Sequence, residues 1–218
     1  MSTAIIKSIC RVEGEVVCIL TLDVTDNGKV STERLTLPID YIIEKRLKKG
    51  SVDENTLADI YDAAALCEAV RRGESILSFA SNSKAQLESK LRRRGISATY
   101  ARRAADILSE RGFINDRENA LDEAERCTKK LWGERRIISQ LASKGYSGEA
   151  LSEVRDFLSD IDFAPNLRLL IKKKYPDALS SDRRERERAV AGLIRYGYPM
   201  SLIRAVISKM GGEDIEDY

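Results

Sequence analysis

Four scattered cysteines are the residues of this chain best suited to metal binding or nucleophilic chemistry. Cys10, Cys18, Cys67 and Cys127 form no Cys-x-x-Cys pair. The chain also contains no histidine, which removes the commonest metal ligand and the usual general base. The cysteine pattern therefore predicts reduced, mostly structural thiols in a cytoplasmic protein, with no metal site and no cofactor.

Carboxylates and glycine-rich loops provide no catalytic arrangement either. The sequence has neither the Gly-x4-Gly-Lys-[Ser/Thr] loop that cradles phosphates nor a Gly-x-Gly-x-x-Gly turn. Its carboxylates alternate with basic residues, as in DRRERERA at 182–189, a pattern typical of a solvated helix with ion pairs along its surface. These absences predict that the protein is not an enzyme.

Basic residues are the remaining candidates for function, and they are unevenly distributed. The net charge of +2 combines −3 over 1–82, +4 over 83–158, −2 over 159–167, +7 over 168–209 and −4 over 210–218. A basic body of this kind could contact a polyanion or an acidic protein surface. Solvated helix faces would explain the same charges, so charge alone leaves both interpretations open.

Targeting segments are not expected. No apolar run approaches the roughly 18–20 residues that a membrane-spanning helix needs. The N-terminus MSTAIIKSICRVEGEVVCIL lacks the continuous apolar core and cleavage site of a signal peptide. Both observations favour a cytoplasmic protein without a membrane partner.

The elements that must position the basic residues begin with strands. Residues 4–37 are rich in β-branched side chains and contain the turn signal Asn27-Gly28, which predicts one hairpin or a small three-stranded ribbon. After Pro38 the apolar spacing changes to three and four, which predicts a helix that ends at Gly50. From there to Met210 almost every segment has a helical pattern.

A repeat organises this helical region. LESKLRRRGI at 87–96, IISQLASKGY at 137–146 and AVAGLIRYGY at 189–198 align without gaps, with glycines at Gly95, Gly145 and Gly197. The apolar pattern continues in phase after each glycine. Each unit is predicted to be a helix, a left-handed glycine stop and a second helix. Start signals are Ser83 with Gln86 and Asp182 with Glu185.

A further helix precedes each pair, which gives three tandem three-helix repeats. Units of about 50 residues bury little core alone, so neighbouring repeats should share packing. The predicted fold class is mainly α, an elongated curved solenoid of three repeats preceded by a small N-terminal β-hairpin or ribbon. The predicted boundaries are 1–50 for the ribbon and short helix, 51–112, 113–160 and 161–210 for the repeats, and 211–218 for an acidic tail.

The helical region resembles the RecX family, regulators of the RecA recombinase. The similarity is carried by SKAQLESKLRRRGI, ILSERGFINDRENA, WGERRIISQLASKGYS and RYGYPMSLIRAVI, in that order along the chain, with DYIIEKRLKKGSVDEN before the first repeat. Two positions depart from the family pattern: Asn115 replaces an acidic residue and Asn119 stands where an aromatic residue is more common.

This resemblance implies a non-enzymatic, negative modulator. It implies binding in the helical groove of the RecA–DNA filament, across neighbouring protomers, and restraint of recombinase, ATPase and co-protease activities in DNA repair and the SOS response. The expected partners are the RecA nucleoprotein filament and, through phosphate contacts, single- or double-stranded DNA. The protein itself is expected to be a monomer.

Basic clusters are the hypothetical contact residues for RecA or DNA. They are Arg92, Arg93, Arg94, Arg102, Arg103, Arg135, Arg136, Lys144, Lys172, Lys173, Lys174, Arg183 and Arg184. Each cluster could equally belong to a solvated helix, and Arg92–Arg94 end a helix where the dipole favours cations. Arg135 and Arg136 lie in a first turn, where the dipole disfavours cations, so helix stability does not explain them. Trp132 is expected to be a packing anchor.

Two alternative functions stay open at this point. One is a stand-alone basic helical protein that binds nucleic acid without RecA, with an affinity that falls steeply with salt. The other is a generic helical-repeat scaffold for a different protein partner.

Overall fold

The computed structural model describes residues 3–26 and 28–216, with side chains at 4–25 and 28–211. Its elements, in chain order, are β1 Thr3–Arg11, β2 Val17–Asp26, β3 Lys29–Pro38, α1 Ile39–Glu44, β4 Gly50–Val52, α2 Glu54–Leu77, α3 Lys84–Arg93, α4 Ala98–Glu110, α5 Asp116–Lys129, α6 Glu134–Ser143, α7 Gly148–Ser159, α8 Ala164–Lys174, a 3₁₀ turn Pro176–Leu179, α9 Arg183–Arg195 and α10 Met200–Glu216.

The chain forms two compact units. The N-terminal unit contains Met1–Ala80 and Leu87–Phe113, and the C-terminal unit contains Ser81–Gln86 and Ile114–Tyr218. The mainly helical fold class with an N-terminal antiparallel sheet is confirmed. The elongated, curved form of the array and the five predicted boundaries stay predictions. The helix α10 runs to Glu216, and residues 217–218 of the predicted acidic tail lie outside the described residues.

The N-terminal sheet has one strand more than the predicted ribbon. Its strands are antiparallel in the order β3-β2-β1-β4. The β2–β3 pairing extends to Asp26 opposite Lys29, so the hairpin turn falls where it was predicted, although Asn27 itself lies outside the described residues. The fourth strand pairs with the free edge of β1, joining Ala4–Ile6 to Gly50–Val52.

The helix predicted to end at Gly50 is shorter, and this prediction is corrected. The helix α1 ends at Glu44 because Arg46 adopts a left-handed conformation with φ 47°. The Leu47 amide then donates to the Ile42 carbonyl at 3.1 Å, which closes the helix in a Schellman motif. Gly50 does not end a helix. It is the first residue of β4, which pairs with the edge strand β1.

One face of the sheet packs on α2 to form the core of the N-terminal unit. Ile6, Leu20, Leu22 and Leu37 are fully buried there. From α2 the cluster receives Leu57, Ile60 and Ala64. A sheet with one buried face needs such a cover, because its apolar side chains would otherwise stay in water.

The helical repeats follow the predicted order: α2–α4, α5–α7 and α8–α10. The glycine turns close as Schellman motifs, with amide-to-carbonyl distances of 3.2 Å from Ile96 to Leu91, 3.2 Å from Tyr146 to Leu141, and 3.3 Å from Tyr198 to Leu193. Gly95, Gly145 and Gly197 all have positive φ, as the repeat requires. The in-phase positions after each glycine are buried: Ala104, Leu108, Val154, Leu158, Val206 and Met210.

Repeats two and three share one apolar core, as predicted for short units that cannot bury enough surface alone. Ile137, Leu141 and Leu193 are fully buried in it, and Trp132 packs against it while partly exposed. In the described part of the chain, no helix combines the length and the apolar character that a membrane crossing requires.

Candidate functional site

Arg136, in the first turn of α6, lies between two aromatic rings. Its guanidinium carbon is 4.0 Å from the centroid of the Trp132 ring and 4.8 Å from that of Tyr196. Distances of this size are typical of cation–π contacts. These contacts offset the unfavourable position of a cation at a helix N-terminus. They explain why Arg136 is tolerated there, but they do not involve Arg135. The neighbouring Arg135 is exposed.

The backbone around Trp132 is held by a left-handed turn after α5 and by a hydrogen bond from Tyr198, which follows α9. Leu131 adopts a left-handed conformation with φ 61°, and the Trp132 amide donates to the Cys127 carbonyl at 3.2 Å, so α5 ends in a Schellman motif without glycine. The Leu131 carbonyl accepts from the Tyr198 hydroxyl at 3.0 Å. Burial raises the pKa of that hydroxyl, which keeps it a donor at neutral pH.

A close backbone contact completes this arrangement. The Gly133 amide donates to the Tyr196 carbonyl at 2.8 Å. A Cβ at Gly133 would lie 2.5 Å from the Gly197 carbonyl carbon, and a Cβ at Gly197 would lie 2.5 Å from the backbone nitrogen of Arg136. Only glycine at both positions allows the two turns to approach this closely, and the approach brings the Tyr196 ring to Arg136.

Two lysines extend the arrangement. The Lys174 nitrogen lies 5.5 Å from the Tyr196 centroid and donates to the Tyr196 hydroxyl at 2.9 Å. That hydrogen bond raises the pKa of Lys174. The Lys130 nitrogen lies 5.7 Å from the Trp132 centroid. We call Lys130, Trp132, Arg136, Lys174 and Tyr196 the stacked cation cluster.

No cation of the stacked cation cluster forms an ion pair with a described carboxylate, although the charge of Lys130 helps to lower the pKa of Glu123. Among the side chains that the structure describes, no carboxylate lies within 4.0 Å of a side-chain nitrogen of Lys130, Arg136 or Lys174. The positive charge of Arg136 acts to lower the pKa of Lys174, so the two cations are near enough to repel each other. Aromatic rings attract the cations but do not neutralise them.

Lys144 has a partner inside the fold. Its nitrogen lies 2.6 Å from Glu123 Oε1, with 28% of the lysine side chain and 15% of the glutamate side chain exposed. Burial acts to raise the pKa of Glu123, but the hydrogen bond and charge of Lys144, together with the charges of Arg126 and Lys130, outweigh it, so the pKa is lowered. This geometry favours a structural role for Lys144.

Arg103 is also paired within the fold. Its Nη1 lies 3.0 Å from both carboxylate oxygens of Asp62, and its guanidinium carbon is 5.7 Å from the Tyr100 centroid. The Tyr100 hydroxyl donates to Asp62 at 2.9 Å, and this bond, followed by the bond from Arg103, lowers the pKa of Asp62. Arg103 thus ties α4 to α2 within the N-terminal unit.

The other predicted contact residues lie on exposed surfaces. In the N-terminal unit, Arg92 and Arg93 end α3, Arg94 follows it, and Arg102 lies on α4. In the C-terminal unit, Lys172 and Lys173 are exposed on the last turn of α8. At the start of α9, Arg183 pairs with Glu187 at 2.8 Å, and Arg184 is exposed. Of the thirteen predicted residues, only Arg136 and Lys174 meet around one aromatic ring.

Lys130 and Tyr196 were missed as functional candidates. One signal was present in the sequence: Trp132 and Arg136 are four residues apart across a helix start, a spacing at which an arginine can lie on an aromatic ring. Tyr196 comes from the next repeat, and no local spacing relates it to Arg136. The described side chains contain no cluster of three or more potential metal ligands.

Comparison with known proteins identifies relatives of the chain. No family model matches the chain. The chain is 29% identical over 149 residues to a regulatory protein RecX from Pseudomonas savastanoi pv. phaseolicola, covering 67% of this chain and 94% of that protein. It is 25% identical over 154 residues to a regulatory protein RecX from Halorhodospira halophila, covering 70% and 95%. The predicted resemblance to RecX proteins is confirmed by these relatives.

Solved structures support the fold. A crystal structure of regulatory protein RecX matches with a TM-score of 0.70 and 22% identity, over 93% of this chain and 98% of the other. RecX from Lactobacillus salivarius matches with a TM-score of 0.56 and 18% identity, over 66% and 96%. The expectation of a regulatory protein that is not an enzyme agrees with the names of these relatives.

Proposed function

We propose that this protein is a negative regulator of the RecA recombinase. It binds in the groove of the RecA–DNA filament and restrains the recombinase, ATPase and co-protease activities in DNA repair and the SOS response. The observation that carries the proposal is the sequence likeness to RecX proteins over about two thirds of the chain. It acts as a cytoplasmic monomer that needs no cofactor.

Two features of the molecule support filament binding. A chain of tandem helical repeats can contact a partner that is itself a helical array of identical subunits at more than one point. Exposed basic groups lie in both compact units, on α3 and α4 in one and on α6, α8 and α9 in the other. Such groups could contact acidic protein surfaces or DNA phosphates along the filament.

The test is a reaction of RecA, single-stranded DNA and ATP with the purified protein added. We expect ATP hydrolysis to fall and the filaments, seen by electron microscopy, to shorten as the protein approaches stoichiometric amounts. Unchanged hydrolysis and filament length at a modest excess of folded protein would contradict the proposal.

A second candidate function is nucleic-acid binding without RecA. The stacked cation cluster favours it, because its positive groups have no carboxylate partner among the described side chains. Salt-dependent binding to DNA, together with an absence of any effect on RecA, would favour this second function. Absence of both effects would favour a scaffold for another protein.

A further inference from the structure

We propose that the stacked cation cluster is a binding site for the phosphodiester backbone of a nucleic acid. The inference rests on the proposed function for its setting, since the strand would be the DNA of the filament, but the binding can be measured without RecA. It assigns a ligand to Lys130, Arg136 and Lys174 and a positioning role to the rings of Trp132 and Tyr196.

The geometry of Arg136 is the first argument. The rings of Trp132 and Tyr196 lie 4.0 Å and 4.8 Å from its guanidinium carbon, so aromatic groups contact the guanidinium without accepting hydrogen bonds in the way a carboxylate does. Its N–H donors are therefore left for an oxyanion, and a planar guanidinium binds phosphate oxygens in a bidentate manner. Because the rings already hold the side chain, little conformational entropy remains to be lost on binding.

The second argument is that Arg136 and Lys174 form no ion pair with a carboxylate among the described side chains. Some basic residues of the C-terminal unit have a carboxylate partner within it: Arg117 pairs with Glu153 at 2.7 Å, Lys144 with Glu123 at 2.6 Å, and Arg183 with Glu187 at 2.8 Å. Within the described side chains the cations of the cluster have aromatic partners in place of carboxylates. Mutual repulsion of Arg136 and Lys174 would be relieved by a bound anion.

The arrangement of the cations favours a nucleic-acid backbone over a single carboxylate. Lys130 and Arg136 share the Trp132 ring, and Arg136 and Lys174 share the Tyr196 ring, so the three cations form a connected series. A nucleic-acid strand carries one phosphate per nucleotide and can contact several cations in sequence. Each ring already carries two cations, so the site recognises charge and should be indifferent to the bases.

The experiment measures binding of the full chain to a labelled oligothymidylate by fluorescence anisotropy, without RecA, between low and moderate salt. We expect Arg136→Gln and Lys174→Gln each to weaken binding about tenfold at low salt. Each should also reduce the slope of log affinity against log salt by about 0.7, the value for one phosphate contact on a single strand. Oligodeoxyadenylate should bind with similar affinity.

Matched variants separate the site from general charge. Arg155→Gln removes one exposed cation from α7 in the same unit and should leave affinity and salt slope close to those of the unmodified chain. Arg136→Lys keeps the charge but not the planar fork, and it should bind more weakly than the unmodified chain. Thermal unfolding checks that each variant folds. If Arg136→Gln does not fold, the comparison is made with Arg136→Lys and Lys174→Gln.

Three results would overturn the inference. The first is a salt slope for Arg136→Gln and Lys174→Gln equal to that of Arg155→Gln. The second is Arg136-dependent binding of polyglutamate while oligothymidylate binding is unaffected, which would assign the cluster to an acidic protein. The third is restraint of RecA by a chain that does not bind the oligonucleotide at low salt, which leaves the proposed function intact. Conversely, cluster-dependent oligonucleotide binding without an effect on RecA supports the inference and contradicts the proposed function.

Discussion

Two turns in the C-terminal unit occupy equivalent places in successive repeats but make different contacts. The Gly145 turn packs on the start of α3, where the Ser83 hydroxyl donates to the Lys144 carbonyl at 2.6 Å. The Gly197 turn packs on the start of α6, where the Gly133 amide donates to the Tyr196 carbonyl at 2.8 Å. The repeat thus conserves the position of the contact while the side chains that make it change.

Position 83 of one repeat corresponds to position 133 of the next, and this pair explains the difference. Ser83 and Gln86 form a reciprocal capping box, with both distances 3.1 Å. Gly133 has no side chain to accept the corresponding bond, so Arg136, the counterpart of Gln86, is released to lie on Trp132 and Tyr196. Loss of a local cap at one turn therefore accompanies the gain of a charged cluster there.

The largest effect should come from Gly197→Ala compared with Gly95→Ala. Both glycines have positive φ, which costs an alanine about 1–2 kcal/mol. At Gly197 a Cβ would also lie 2.5 Å from the backbone nitrogen of Arg136, whereas a Cβ at Gly95 would have no atom within 4 Å. We expect Gly197→Ala to lower the free energy of unfolding in urea by about 2–5 kcal/mol in total. Equal losses for the two variants would contradict the close approach of the turns.

Ser83→Ala should have the next largest effect. The buried hydroxyl caps α3 and also joins it to the Lys144 carbonyl, so its removal should cost about 2 kcal/mol of unfolding free energy. Ser97→Ala is the control, because that exposed cap accepts one longer bond, 3.4 Å from the Tyr100 amide, and should cost less. Urea unfolding of both variants measures the difference, and a larger loss for Ser97→Ala would refute the comparison.

The Lys144–Glu123 pair gives a pH-dependent prediction. The pKa of Glu123 is lower in the folded chain than its ordinary value of 4.5, so the pair contributes stability fully above that value. This contribution disappears as pH falls through the folded pKa. Lys144→Met should therefore cost about 1–2 kcal/mol at neutral pH and progressively less in acid.

Unfolding curves of Lys144→Met and the unmodified chain between neutral and acidic pH test this sign. Glu123→Gln is the matched variant, because it removes the titrating group and should flatten the same part of the pH profile. A difference between Lys144→Met and the unmodified chain that grows as the pH falls would contradict the pair's role.

The smallest effect on stability should come from Arg136→Ala. Two cation–π contacts at a partly exposed site are together worth about 1 kcal/mol, and the dipole penalty at the start of α6 would be relieved. We therefore expect a loss of no more than about 1 kcal/mol in urea unfolding. A much larger loss would make Arg136 a core residue and would weaken the case for a binding role.

Local patterns were sufficient for most of the fold. The glycine spacing predicted the turns at Gly95, Gly145 and Gly197, because a left-handed residue after a helix is a local requirement. The sequence did not predict β4, since a three-residue strand has no periodicity and exists only because the edge of β1 is free. The helix α1 was predicted to end at Gly50 because glycine is the usual left-handed residue after a helix, whereas Arg46 adopts that conformation here.

The sequence by itself determined the repeat and its glycine turns, because these depend on residue type and spacing along one segment. It also placed two arginines in a helix start where local energetics disfavour them. Only the tertiary structure decided that Arg136 lies between Trp132 and Tyr196, that Lys174 joins them, and that Lys144 and Arg103 are paired internally. Those contacts join residues from different helices, and a local pattern carries no information about which distant side chain the packing of helices will bring alongside.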